Sequence, residues 1–270
     1  MSKCATRIAY GKALAKLVQE NERVVVFDAD LAGSTKTAEA KKVCPQRHFD
    51  MGIAEGNMMD VAAGFAASGK IAFASSFAMF ASGRAYEQIR NTIGYPHLNV
   101  KICATHAGLS VGEDGASHQC NEDIALMRTI PGMTIVQPCD AAETMQAIAA
   151  IAELDGPCYV RLGRFDVEDV YDENYHFELG KGVTLRKGSK VAIIATGLMV
   201  QEALAACDLV DADPTVINIH TIKPLDAELI AASAKKTGKV VTAEEHSVIG
   251  GLGGAVCEAL AERMPVPLGK

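Results

Sequence analysis

The richest group of chemically capable side chains lies in residues 105–119, which contain two histidines, two acidic residues and three glycines. His106, Asp114 and His118 could exchange protons, hydrogen-bond a substrate or ligate a metal. Their spacing fits no compact metal-ligand pattern, which favours substrate binding over metal binding. Long polar loops with glycine hinges on a rigid sheet commonly bind ligands, so this stretch is the first candidate site.

Three further stretches place polar or aromatic residues within small or apolar sequence. Residues 28–35 follow an apolar run, where an ordinary turn that hydrogen-bonds its own backbone and a ligand site are both consistent with the residue types. Glu55 opens a helical pattern, either as a favourable charge at the helix N-terminus or as an acid held by apolar walls for proton exchange. Phe77 and Phe80 are three residues apart, which suits a helix core as well as a wall for a flat cofactor.

The elements that must position these residues alternate along the first part of the chain. Short apolar runs at 23–27, 71–74, 100–103, 134–136 and 158–160 predict buried strands. Helical patterns between them predict helices at 6–20, 55–67, 82–93, 121–129 and 141–154. This alternation predicts a mainly parallel α/β sheet with helices on both faces, which binds ligands at the carboxyl ends of its strands.

A composition shift divides the chain in two. Residues 166–189 are acidic, aromatic and glycine-containing, which predicts a surface linker. A second α/β alternation follows, with predicted strands at 191–195, 215–219 and 240–243 and predicted helices at 200–210, 226–236 and 253–263. The sequence therefore predicts two α/β domains, 1–165 and 190–270, each a mainly parallel sheet flanked by helices. Three strands are few for an open sheet, so we expect the second domain to lack its last strand.

Composition and charge exclude several classes of protein. The chain is 49% hydrophobic and 22% charged, which is typical of globular proteins, and its net charge of −7 argues against a nucleic-acid partner. The longest uncharged run, 71–83, is far shorter than the roughly 20 residues of a membrane helix, and the N-terminal residues are not an apolar secretory segment. The eight cysteines are widely spaced, which indicates buried thiols rather than zinc ligands or disulfides. We expect a cytoplasmic protein.

Taken in order, the motifs resemble those of transketolases. Those resembling the pyrimidine-binding domain are Thr6-Arg7, Asp30-Leu31 with Gly33-Ser34, Ile53-Ala54-Glu55, Ser76-Phe77 with Phe80, Thr105-His106, Gly112-Glu113-Asp114-Gly115 with Ser117-His118-Gln119, and Leu162-Gly163-Arg164. Those resembling the C-terminal domain are Thr221-Ile222-Lys223-Pro224-Leu225-Asp226, Glu245-His246 and Gly250-Gly251-Leu252-Gly253. The family's Gly-Asp-Gly motif with its Asn pair, which binds diphosphate and Mg²⁺, is not found in the sequence. The chain therefore resembles the C-terminal subunit of a transketolase split into two chains.

The resemblance implies thiamine diphosphate as the cofactor. Glu55 would hydrogen-bond its pyrimidine ring, and Phe77 and Phe80 would contact that ring. The diphosphate and Mg²⁺ would be held mainly by an N-terminal partner subunit, in a heterotetramer with two copies of each chain, and this chain would supply no metal ligand.

The resemblance also implies a substrate and a reaction. Arg7, Ser34, His106 and Arg164 would bind the sugar phosphate, and Asp114 and His118, with Glu55 and His106, would complete the catalytic set. The implied reaction moves a two-carbon ketol unit from a ketose phosphate to an aldose phosphate. Two alternatives stay open: a β-type subunit of a 2-oxoacid dehydrogenase or deoxyxylulose-phosphate synthase-like enzyme, and a non-catalytic paralogue that binds a complete transketolase.

Overall fold

A computed structural model of the chain describes residues 3–172 and 174–270. The described strands form a seven-stranded, a five-stranded and a two-stranded sheet. The strands are β1 (Lys3–Ala5), β2 (Val24–Asp28), β3 (His48–Asp50), β4 (Ile71–Phe77), β5 (Val100–Thr105), β6 (Thr134–Val136), β7 (Cys158–Arg161), β8 (Asp166–Glu168), β9 (Val183–Arg186), β10 (Val191–Ala195), β11 (Pro214–Asn218), β12 (Thr221–Lys223), β13 (Val240–Ala243) and β14 (Leu268–Gly269).

The helices surround these sheets. They are α1 (Thr6–Glu20), α2 (Ala32–Thr35), α3 (Ala38–Val43), α4 (Glu55–Ala67), α5 (Tyr86–Gln88), α6 (Asp123–Arg128), α7 (Ala141–Glu153), α8 (Met199–Ala206), α9 (Ala227–Thr237) and α10 (Leu252–Arg263). Short 3₁₀ turns occupy Pro45–Arg47, Gly115–Ser117 and Cys207–Leu209, and π-helical turns occupy Met79–Arg84 and Ile89–Gly94. No helix within the described residues is both long enough and apolar enough to cross a bilayer.

The large sheet has the strand order β12-β6-β7-β5-β4-β2-β3, and its strands are parallel except β12. Buried residues of α1 and α7 pack in one apolar cluster and those of α4 in another. A parallel sheet covered on both faces needs strands that are apolar throughout, which is why β2 and β5 are buried along their whole length. The predicted α/β class, with mainly parallel sheets flanked by helices, is confirmed.

The second sheet has the order β14-β13-β10-β11-β9 and therefore five strands, where the sequence predicts three and a missing final one. β14 pairs with β13 in parallel, so the described chain does carry a strand at that edge. Its two residues are too few to show an apolar pattern. β9 lies in the predicted linker and pairs with β11, and β8, also in that segment, pairs with β1. The linker is thus partly strand, because short edge strands need little apolar sequence.

The two halves of the chain share the large sheet. β12 belongs to the second half, yet it pairs antiparallel with β6, with Thr221 opposite Val136. The ammonium of Lys223 donates to the carbonyl oxygens of Arg128 at 2.9 Å and Ile130 at 2.6 Å. These contacts close the outer edge of the large sheet with residues that come more than 80 positions later in the sequence.

Two helices differ locally from the sequence predictions. The predicted helix 82–93 begins earlier, and most of it is π-helical, with wider turns that place Arg84 beside the site described below. The predicted helix 200–210 ends at Ala206 and continues as a single 3₁₀ turn. All eight cysteines are free thiols, and six of them are buried.

Candidate functional site

Glu55 is the first residue of α4, and its side chain is only 1% exposed. Its Oε1 accepts a hydrogen bond from Oγ of Ser76 at 3.3 Å, and its Oε2 accepts from Nη1 of Arg84 at 2.9 Å. The Arg84 side chain is half exposed, so one of the two partners of this buried carboxylate extends to the surface. The arrangement gives a buried acid at the carboxyl end of the sheet, with one of its two partners accessible to solvent.

An aromatic group lies beside this carboxylate. The rings of Phe77, at the end of β4, and Phe80 are stacked, with centroids 6.0 Å apart and an interplanar angle of 21°. The guanidinium carbon of Arg84 lies 4.6 Å from the Phe80 centroid, so one arginine contacts both the carboxylate and the aromatic pair. Phe77 is buried at 7% exposure, and Phe80 is half-buried. These rings offer a flat apolar surface next to an acid.

Two histidines complete the aromatic group. His106 follows β5 in a left-handed conformation with φ +58°, and its ring centroid lies 3.9 Å from that of Phe77. His118 presents its ring edge-on to Phe77 at 5.9 Å and to Phe80 at 5.2 Å. Nδ1 of His118 lies 2.9 Å from the hydroxyl of Ser117, which orients the ring. The structure therefore brings together four of the predicted site residues around one surface.

The charge state of His106 follows from its surroundings. Burial, together with the nearby positive charges of Arg7 and Arg164, lowers the pKa of His106 to about 3. The imidazole is therefore neutral at physiological pH. Its Nδ1 lies 2.9 Å from the hydroxyl of Thr105, which leaves Nε2 to hydrogen-bond a ligand. His106 is suited to binding a hydroxyl or phosphate oxygen without carrying charge.

Two arginines form a cationic cluster beside His106, and the backbone carbonyl of Ser34 contacts one of them. Arg7 donates from Nη1 to the carbonyl oxygen of Ser34 at 2.8 Å and from Nε to that of Arg164 at 3.2 Å. Burial and the neighbouring charge of Arg164 lower the pKa of Arg7. Arg164 pairs with Glu113 at 3.1 Å, but the Glu113 side chain is 83% exposed and leaves much of the positive charge unscreened. Two guanidinium groups in this arrangement suit a dianion such as a phosphate.

Residues 106–119, here called the histidine loop, follow β5, and the two ends of the loop meet where Gly108 pairs with Cys120. The backbone N–H of Gly108 donates to the carbonyl oxygen of Cys120 at 2.9 Å, which closes the base of the loop. Asp114 is exposed on the outer turn, and within the described residues the structure does not bring its carboxylate against the aromatic group. A ligand would have to bridge Asp114 to the other predicted residues.

Arg84 and Glu245 contact the site but were not predicted from the sequence as site residues. Arg84 had a local signal, because a cation four positions after Phe80 in a helical backbone can lie over that ring. Glu245 hydrogen-bonds Ser110, which is 135 positions earlier, and no local pattern indicates such a contact. Within the described ranges, no group of three or more His, Cys, Asp or Glu side chains is arranged to hold a metal ion.

Comparison with known proteins identifies the class. Residues 2–168 match the transketolase pyrimidine-binding domain, and residues 180–268 match the transketolase C-terminal domain. Together with the fold and the site, these matches describe a two-domain α/β chain that corresponds to the pyrimidine-binding and C-terminal parts of a transketolase. The chain belongs to the transketolase family.

Two relatives and one solved structure show which part of a transketolase this chain matches. The chain is 53% identical over 260 residues to a putative transketolase C-terminal section of Methanocaldococcus jannaschii, in a match that covers 94% of this chain and 81% of that protein. It is 44% identical to a 6-deoxy-6-sulfo-D-fructose transketolase subunit of Clostridium sp., covering 97% of this chain and 82% of that one. A solved structure described as a split gene transketolase, inactive beta4 tetramer, superposes with a TM-score of 0.93 at 52% identity, covering 100% of this chain and 89% of that chain. In extent, the chain therefore matches the C-terminal chains of split transketolases.

Proposed function

We propose that this chain is the C-terminal subunit of a split transketolase and that, with an N-terminal subunit, it transfers a two-carbon ketol unit from a ketose phosphate to an aldose phosphate. The observation that carries the proposal is the buried Glu55 carboxylate beside the stacked Phe77 and Phe80, since Arg84 contacts both. A buried acid next to a flat apolar surface suits a heterocycle that exchanges a proton.

The residues present fit the pyrimidine half of thiamine diphosphate. Glu55 offers a carboxylate for a ring nitrogen, and Phe77 and Phe80 offer a surface for the ring itself. When bound, thiamine diphosphate supplies the nucleophilic carbon that carries the ketol unit. Its diphosphate and Mg²⁺ are assigned to the N-terminal subunit, because the Gly-Asp-Gly motif with its Asn pair is not found in this sequence.

Each predicted residue then has a task. Glu55 holds or moves the proton at the pyrimidine nitrogen, in surroundings where low polarity strengthens the contact. Neutral His106 hydrogen-bonds the substrate, and His118 and Asp114 bind its hydroxyl groups from the histidine loop. Arg7 and Arg164, with Ser34, hold the terminal anion of the sugar.

The two arginines support a substrate that carries an anionic group. One relative is named for a sulfonated sugar, and another, 38% identical, is named as an apulose-4-phosphate transketolase subunit of Phocaeicola vulgatus. Both names describe sugars that carry an anionic group, and the Arg7 and Arg164 guanidinium groups suit such a group. We therefore assign sugar phosphates to this chain as substrates. We further propose that it works in a cytoplasmic heterotetramer with two copies of each subunit. Residues 1–165 would form its pyrimidine-binding domain.

Reconstitution tests the proposal. This chain and a diphosphate-binding subunit are produced separately and assayed for ketol transfer, alone and mixed, with thiamine diphosphate, Mg²⁺ and a set of ketose and aldose phosphates. Transfer is expected only in the mixture, and calorimetry of this chain alone should show little binding of thiamine diphosphate. Tight binding or transfer by the chain alone would contradict the split-subunit assignment, and a mixture inactive with every sugar tested would contradict the activity.

A further inference from the structure

Glu245 follows β13 in the C-terminal half of the chain, and its side chain contacts the histidine loop. Its Oε1 accepts a hydrogen bond from the backbone N–H of Ser110 at 2.8 Å, and its Oε2 accepts from the Ser110 hydroxyl at 3.1 Å. Both oxygens of one carboxylate thus hold a single loop residue. A two-point, charge-assisted contact of this kind fixes orientation as well as position.

The backbone of Glu245 is itself held by a rigid part of the large sheet. Nη2 of Arg161, in β7, donates to the carbonyl oxygen of Glu245 at 2.8 Å. Arg161 forms an ion pair with Asp123 at 2.8 Å, and both of these side chains are fully buried. Because breaking a buried ion pair is costly, Arg161 is a fixed point from which the Glu245 carboxylate extends to the loop.

The loop is shaped to admit this carboxylate. Gly108 has φ +84°, and a Cβ there would lie 2.8 Å from Cβ and 2.9 Å from Cδ of Glu245. A Cβ at Gly112, with φ +89°, would lie 2.3 Å from Nη1 of Arg164. Any side chain at either position would therefore displace Glu245 or Arg164. The first part of the loop, from Gly108 to Gly112, therefore lies against Glu245 at one end and Arg164 at the other.

We propose that Glu245 is a positioning residue that holds the histidine loop for sugar binding, an inference that rests on the proposed function and deepens it. Ser110 lies midway between His106 and Asp114, so anchoring it limits how far the outer turn can move from the aromatic group. Glu245 would affect the substrate indirectly, through its two hydrogen bonds to Ser110. The C-terminal half of the chain thereby takes part in substrate binding without supplying a group to the reaction.

Glu244 is a matched control for Glu245. It is the adjacent residue, and its two carboxylate oxygens accept from the backbone N–H groups of Leu252 at 2.7 Å and Gly253 at 2.8 Å. The two glutamates therefore have the same charge and the same kind of bond, but Glu244 caps α10 and Glu245 holds the histidine loop. Loss of Glu244 should affect the start of α10 and leave the loop unchanged.

Hydrogen exchange of the full chain, without partner or cofactor, provides the first measurement. Glu245→Ala should speed amide exchange across residues 106–119 by about tenfold, because both charge-assisted hydrogen bonds to Ser110 are lost. Glu244→Ala should speed exchange at the start of α10 instead. Glu245→Gln keeps one acceptor for the Ser110 N–H and should restore part of the protection.

Kinetics of the reconstituted enzyme provide the second measurement. Glu245→Ala should raise the KM for the sugar phosphates by about tenfold with a smaller change in kcat, and Glu245→Gln should recover part of it. Unchanged exchange in 106–119 overturns the inference, as does an equal rise in KM for Glu244→Ala and Glu245→Ala. If the wild-type mixture transfers no ketol unit, the proposed function fails, and the exchange data still decide whether Glu245 holds the loop.

Discussion

Two buried glutamates show how this fold separates a structural acid from a candidate catalytic one. Glu55 and Glu143 are 1% and 0% exposed, and each lies in the first turn of a helix beside the large sheet. Glu143 accepts hydrogen bonds from the N–H of Cys139 at 2.7 Å, the hydroxyl of Tyr175 at 2.7 Å and the amide of Asn218 at 2.9 Å. These donors are all neutral, and burial raises the pKa of Glu143 to about 7.

The difference lies in the neighbours and not in the burial. The Glu143 partners come from the segment before α7, the predicted linker and the end of β11, so this acid joins three segments and is enclosed by them. Glu55 has one hydroxyl donor and one half-exposed cation, Arg84. A carboxylate whose charged partner is accessible to solvent can exchange that partner for a ligand, whereas an enclosed one cannot without opening the structure.

The largest expected effect is the loss of activity when Glu55, but not Glu143, is replaced by glutamine. In the reconstituted enzyme, Glu55→Gln should lower ketol transfer by about 100-fold to 10,000-fold, the usual range for loss of acid–base catalysis. The assay is initial rate at saturating sugar and cofactor. Glu143→Gln is the matched control, since it neutralises an equally buried glutamate and should leave transfer active. Wild-type-like rates for Glu55→Gln would refute the catalytic assignment.

The second effect concerns Glu143 and pH. Because its pKa of about 7 lies above the ordinary 4.5, the folded chain keeps a proton that the unfolded chain loses. Its contribution to stability is therefore present at low pH and declines as pH rises, by about 3 kcal/mol between about pH 5 and pH 8.

Urea unfolding of wild type and Glu143→Gln across that range measures this effect. The wild type should lose free energy of unfolding relative to the variant as pH rises, because only the wild type carries the titrating carboxyl. Taking the difference between the two proteins removes the contribution of the histidines. A difference that stays constant with pH would show that Glu143 titrates normally.

The smallest expected effect concerns the two arginines near the candidate site, which should affect sugar binding more than catalysis. Arg7→Ala or Arg164→Ala should raise the KM for a sugar phosphate about 10-fold to 100-fold with less change in kcat, since each removes charge-assisted contacts to the anion. Arg7→Lys should recover only part, because lysine lacks the planar fork. A sugar without a terminal anion is the control substrate, and its KM should not respond. Equal effects on both sugars would argue against an anion site.

Much of the fold was predictable because its signals are local. α1 and α4 match the predicted bounds to the residue, since amphipathic spacing defines them. Six short strands were missed, namely β1, β3, β8, β9, β12 and β14. Each has two to four residues and lacks an apolar run, unlike the equally short β6, so no local signal indicated these strands. The π-helical turns were missed for a related reason, because their spacing differs too little from that of an α-helix to show in sequence.

The candidate site was partly predictable for different reasons. The motifs indicated Glu55, Phe77, His106 and Arg7. The parallel sheet explains why the first three, at or after the ends of its strands, lie at one edge. Arg7 instead lies in α1 and contacts Arg164. The low pKa of His106 could not be predicted from the sequence, because it depends on burial and on two arginines from other segments.

β12 has a consequence for how the molecule can be divided. The family match to the second domain begins at residue 180, yet β12 covers the edge of a sheet whose other strands lie within the first match. A fragment cut between the two matches would leave unpaired the N–H and C=O groups of β6 that face β12, and such an open sheet edge is a template for aggregation. The bounds of the two family matches therefore do not coincide with a structural boundary, because the main sheet takes its outermost strand from the second match.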